Sequence, residues 1–193
     1  MKRHAFSTLA IVLLVATSAV ADAPPVHRLE DPAGRLVAAD IAIREDRYDP
    51  GAHIQPGEDE LGRFERYDGG YLPDTVPGRS MYTFLARVAF SGEARRSKLA
   101  IYLGPKNYPF HLYLNGVLIS AGGLHKIDSY NGASFVSRSV LIPPQLLADG
   151  QNDFVLQIYP SFENSPPGPL TISSYANVAR WVFFRNFFGV YLI

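Results

Sequence analysis

Phe110-His-Leu-Tyr-Leu-Asn-Gly-Val-Leu-Ile-Ser120 is the stretch whose reading decides the fold. Phe110, Leu112 and Leu114 alternate with His111 and Tyr113, the period of a strand with one buried face. Asn115-Gly116 then supplies the two residues that most readily take positive φ in a tight hairpin, and Val117 to Ile119 forms the return strand. His111 falls on the face opposite the leucines and is expected to be exposed.

The same period recurs on both sides of this hairpin. Upstream, Tyr82, Phe84, Ala86, Val88 and Phe90 share a face, a polar turn spans 91–97, and Leu99, Ile101 and Leu103 again point one way. Downstream, a strand over 135–142 is followed by the turn Pro143-Pro-Gln-Leu-Leu147. Asp149-Gly150 then leads into Phe154, Leu156 and Ile158 on one face of another strand. Leu36 to Arg44 alternates as well and is expected to form an edge strand, and Leu170 to Ser173 adds a last strand. Short strands punctuated by turns, with no helical stretch between them, predict an all-β antiparallel sandwich of about eight strands. Burying each inward Leu, Ile or Phe contributes about 1.5 to 3 kcal/mol, so the alternation is the main source of stability.

Four features, in order, resemble the galactose-binding-like jelly roll: Tyr113-Leu-Asn-Gly116, Gly122-Gly123, Pro144-Gln-Leu-Leu147 and Gly150-Gln-Asn152. That domain accompanies many glycoside hydrolases and forms the extracellular domain of bacterial seven-transmembrane sensors. The resemblance covers Arg79 to Ile158 and implies a fold, since none of these elements is a catalytic motif. The long segment from Asp46 to Pro77 departs from the pattern. Leu170 to Arg180 is similar to the closing segment of the sensors, in which a strand and a short amphipathic helix lead into the first membrane span.

The beginning of the chain carries an address. Lys2-Arg3-His4, an apolar run from Ala5 to Ala16 and small residues at Ala19 and Ala21 make a signal-peptide pattern, so export with cleavage after Ala21 is expected. The predicted organisation is a signal peptide over 1–21, an extended Pro- and Asp-rich leader over 22–34, the sandwich over 35–175 and an apolar tail over 176–193. The compartment is expected to be periplasmic or extracytoplasmic. Formal charge is zero over the whole chain, which offers no basic field for nucleic acid, and the absence of cysteine excludes disulfides and a cysteine nucleophile.

Enzymatic activity is not expected. No Gly-x-Ser-x-Gly element occurs, and Asp59, Glu60, Glu65 and Asp68, the carboxylates that could make a glycosidase pair, crowd one charged stretch. His27, His53, His111 and His125 lack metal-ligand spacing, and no cofactor is implied. What the loops do carry is aromatic. Sugars are held by ring faces together with a few polar groups, and the candidate ligand-binding residues are Tyr67, Tyr71, Tyr108, His125 and Tyr130. Each could equally close the edge of the core.

Two functions stay open: an exported sensory or binding module for a carbohydrate or similar small polar ligand, and an interaction module without a small ligand. The tail bears on the second. Trp181 to Ile193 is apolar but covers only about 20 Å as a helix, too short to span alone. It could pack on the sandwich as a final strand, lie in a membrane interface with Trp181 and Arg185 at the headgroups, open a membrane span, or contact a partner protein. The resemblance to the sensors favours membrane or partner contact, with the sandwich equally stable without residues 181–193.

Overall fold

The computed structural model describes residues 25–38, 41–47, 63–67, 80–104, 109–126, 129–131, 137–159 and 170–190. Among them the strands are β1 (Val26–Leu29), β2 (Leu36–Ala38), β3 (Ile41–Arg47), β4 (Glu65–Tyr67), β5 (Ser80–Phe90), β6 (Leu99–Leu103), β7 (Phe110–Leu114), β8 (Val117–Gly122), β9 (Leu124–Lys126), β10 (Ser129–Asn131), β11 (Arg138–Leu141), β12 (Gln151–Ile158) and β13 (Leu170–Ser174). A short helix, Gly92–Arg96, and a long one, Tyr175–Val190, complete the set with a 3-10 turn at Pro144–Leu146.

The protein is a β-sandwich. Its larger sheet runs β4-β3-β5-β12-β7-β8, with β1 also paired to β5, and its smaller sheet runs β11-β6-β13-β2. All pairings are antiparallel except that of β1 with β5. The core lies between the sheets, where Phe84, Val88, Leu112, Leu114, Phe154 and Ile158 meet Leu36, Leu99, Ile101, Val140 and Ile172. Apart from Leu36, these are the inward residues of the alternating runs; β2 buries Leu36 and Ala38 and exposes Val37. Leu156 packs against the same cluster while staying partly buried.

Asn115 and Gly116 have φ of 48° and 80°, the two positive values of a primed hairpin turn. The Asn115 side chain then reaches across the sandwich end. Its Nδ2 donates to Leu146 O at 2.8 Å and to Asn152 Oδ1 at 2.9 Å, while its Oδ1 accepts from Asp153 N at 2.9 Å. Asn152 is fully buried; its Oδ1 also accepts from Ala148 N at 2.8 Å, and its Nδ2 donates to the carbonyls of Val88, Ala148 and Gly150. The hairpin Asn-Gly, the Pro-Gln-Leu-Leu turn and Gly-Gln-Asn, separate in sequence, are therefore one hydrogen-bonded unit.

Several expectations change. The segment read as a leader is partly sandwich: β1 lies alongside Arg87 to Phe90, Leu29 is in the core, and Ser91 ties the two strand ends by donating to Leu29 O and Glu30 O. The same Ser91 Oγ accepts from Ala94 N and caps the short helix, so the polar turn is helical. Leu36 to Arg44 is two strands rather than one, because β2 pairs with β13 in the smaller sheet and β3 with β5 in the larger. After Gly122 the chain forms the β9–β10 hairpin. Residues 1–24, which hold the expected signal peptide, lie outside the described residues.

The outer face of the larger sheet is also covered in part. Ala42, Phe64, Leu85, Tyr113 and Val155 form a second buried cluster there, and the Arg44 guanidinium sits 4.9 Å from the Phe64 ring centroid. A strand covered on both faces shows apolar residues in both of its alternating sets, as β5 does at Leu85 and β12 at Val155.

Candidate functional site

Beside that second cluster the outer face turns polar. Arg44, Thr83, Gln157 and His111 stand in one cross-strand row over β3, β5, β12 and β7, ending opposite Ala121 on β8. His111 marks a corner of the sandwich, where β7 begins, β12 ends and β8 passes into the β9–β10 hairpin. Tyr159, just past β12, donates its backbone N–H to Pro109 O at 3.0 Å, which brings its side chain to the start of β7.

His111 is half-buried there, not exposed. Its Nδ1 and the Tyr159 hydroxyl share a hydrogen bond of 3.1 Å, and its ring lies edge-on to Tyr159 and Tyr113 at centroid distances of 5.5 and 6.1 Å. Strand alternation places His111 opposite the leucines correctly. It cannot show that this face will be covered by buried tyrosines from β7 and the end of β12.

Burial disfavours the charged forms, so it holds His111 below the ordinary histidine value and Tyr113 above the ordinary tyrosine value. The sign of the linkage follows. Because the unfolded chain protonates His111 first, stability contributed above about pH 6.5 falls as pH drops through that value and on through the folded value. The His111 ring signals should titrate with a midpoint below about 6.5, and His111→Gln should flatten the dependence of the urea midpoint on pH below neutrality. A midpoint at or above the ordinary value would show that the ring is not desolvated.

The hairpin adds two candidates to the same corner. Gly122 pairs with Phe110, and a Cβ there would come within 2.5 Å of the Phe110 ring, so a side chain at this position would force the strands apart. Gly123, with φ of 73°, then redirects the chain into β9. In the β9–β10 register, His125 stands directly opposite Tyr130. Gly122 and Gly123 thus serve a turn from the edge strand into a hairpin whose register pairs these two positions.

The other candidates separate. Tyr67 is 8% exposed on β4, inside the core, with Phe84 edge-on at 5.2 Å, so its ring is a packing element and is not offered to a ligand. Tyr71 and Tyr108 lie outside the described residues, the latter directly before Pro109 in the chain. Gln157 and Tyr159, which the sequence reading did not single out, join the corner through the pairing of β12 with β7 and the backbone bond to Pro109. Among the described residues no group of three or more His, Asp or Glu is gathered as a metal site.

In fold the chain is similar to parts of glycoside hydrolases. A β-glucuronidase from an uncultured Clostridium species aligns with a TM-score of 0.51 at 12% identity, over 77% of this chain and 30% of that one. A glycosyl hydrolase family 2 member from Bacteroides cellulosilyticus aligns with a TM-score of 0.50 at 11% identity, over 72% of this chain and 20% of that one. At such identities the likeness concerns the fold, and this chain spans less than a third of either protein. No protein-family model and no curated protein matches the sequence. The fold is thus a β-sandwich similar to parts of these two proteins.

Proposed function

We propose that this chain is an exported, non-catalytic binding module for a carbohydrate or a similar small polar ligand, held at the corner formed by β7, the end of β12 and the β9–β10 hairpin. The observation that carries this reading is the hairpin register, which sets His125 opposite Tyr130 on the extension of the edge strand that flanks His111. Sugar recognition needs an aromatic surface with a few polar groups around it, and this corner concentrates histidine and tyrosine without a metal cluster among the described residues. The names of the similar structures, both glycoside hydrolases, support a carbohydrate as the ligand class.

A binding role also fits Glu65, the one candidate carboxylate among the described residues, since Asp59, Glu60 and Asp68 lie outside them. Glycosidase chemistry requires two carboxylates facing each other across a cleft. Glu65 is exposed on β4, the outermost strand of the larger sheet, at the opposite edge from His111 and the hairpin. The resemblance to the extracellular domains of membrane sensors adds that ligand occupancy is an input to signalling.

A panel of mono- and oligosaccharides, including uronic acids, screened by calorimetry tests the proposal. A binder is expected, and Tyr130→Ala should weaken it roughly three- to tenfold with the melting temperature nearly unchanged. Absence of any binder at about 1 mM would reject it.

A further inference from the structure

The long helix has two faces with different duties. Its inward face is fixed: Val178 is fully buried, Trp181 lies edge-on to Tyr102 at 6.4 Å, and the Asn186 side chain accepts from Ser137 N at 2.8 Å and donates to Ser137 O at 2.9 Å. This docking leaves the opposite face no freedom to turn inward. Away from these contacts Phe183, Phe184 and Phe187, with Phe188 at the edge of the same patch, are 62%, 49%, 44% and 55% exposed. They stack at i, i+4 spacing, with centroids 5.9 Å apart for Phe183 and Phe187 and 6.2 Å for Phe184 and Phe188. Such a contiguous apolar patch marks a contact surface.

Charge identifies the occupant. Residues 175–190 include no acidic side chain, while Arg180 and Arg185 are exposed, and Arg180 precedes Phe183, Phe184 and Phe187 by three, four and seven residues on the same helical face. Arg35 over Trp181 and Lys98 over Tyr175 add positive charge along the flank. The acidic residues Glu30 and Asp31 sit by the turn that meets the first helical turn through Asn177, away from the phenylalanines. Two copies joined through this face would bring like-charged arginines together at a desolvated contact, which opposes self-association.

We infer that this face is a docking surface for an anionic lipid bilayer, with the helix lying flat at the interface. Phe183, Phe184, Phe187 and Phe188 enter the headgroup and acyl boundary, and Arg180 beside them meets the lipid phosphates. Sixteen residues make a helix of about 24 Å, shorter than the ~30 Å hydrocarbon core, and two arginines within it favour the interface over a crossing. No helix among the described residues is long and apolar enough to span.

Co-flotation of the full chain tests this with vesicles of phosphatidylcholine alone and of equal parts phosphatidylcholine and phosphatidylglycerol. Binding should favour the anionic vesicles by roughly tenfold or more and weaken with added salt. The double variant Phe184→Ser, Phe187→Ser should lose most of it at an unchanged melting temperature. Arg180→Glu, which leaves the apolar face intact, should lower binding to the anionic vesicles alone. The inference is overturned by no binding to anionic vesicles, by equal binding to both kinds, or by full binding in Arg180→Glu. A concentration-dependent dimer dissolved by the phenylalanine substitutions, without vesicle binding, would overturn it in favour of a second copy. Sugar binding at the corner is a separate readout, so either proposal can fail alone.

Discussion

Asn152→Ala is expected to cost about 2 to 4 kcal/mol of folding stability, read as a lowered urea midpoint at unchanged slope. The side chain is fully buried and serves five groups at once: Asn115 Nδ2, Ala148 N and the carbonyls of Val88, Ala148 and Gly150. Alanine leaves these groups without a partner where water has little access, and an orphaned buried polar group costs more than a typical hydrogen bond gains. Asn115→Gly keeps the positive φ of the turn while removing the same contact from the other side. The two substitutions should therefore be non-additive, with a coupling of about 1 kcal/mol in a double-mutant cycle. Strict additivity would mean that the three motif segments are held by packing alone.

That network also shows what the sequence can and cannot disclose. Asn115-Gly116 and Gly150-Gln-Asn152 are legible as turns because positive φ restricts the residues allowed, and the alternation around them assigns the inward faces of β5, β6, β7 and β12. The hydrogen bond between Asn115 and Asn152 joins positions far apart in the chain, so composition cannot show that both turns belong to one unit. β1 escapes detection because it is short and commits a single core residue, Leu29, next to a Pro-rich approach. His111 illustrates a different limit. Period-2 alternation distinguishes the two faces of a strand, but only the neighbouring elements decide whether the second face meets water. Leu85, Val155 and Tyr113 on that face already hinted at burial on both sides. Tyr67 carried the opposite ambiguity, since an aromatic in a charged, Pro-rich segment suits a binding loop as well as the three-residue edge strand that β4 forms.

Deleting residues 181–193 is expected to lower stability by about 3 to 6 kcal/mol. This reverses the expectation, drawn from the resemblance to the sensors, that the sandwich would stand equally stable without it. The truncation removes the Trp181 contact with Tyr102 and both Asn186 hydrogen bonds, leaving Ser137 N without its side-chain partner at the start of β11. It also shortens the helix to Tyr175–Arg180, too few residues to hold helical form unsupported, so the burial of Val178 against the smaller sheet weakens as well. Full burial of a valine contributes about 1.5 to 3 kcal/mol, and the two bonds from Asn186 about 0.5 to 1.5 kcal/mol each. Trp181→Ala and Asn186→Ala should each reproduce part of the loss, whereas Phe184→Ser should leave the melting temperature within a degree or two of the parent, because its ring touches no part of the sandwich core. Equal stability of the truncated and full chains would show that the helix is only tethered to the smaller sheet, and the fixed outward orientation of its phenylalanines would fall with that result.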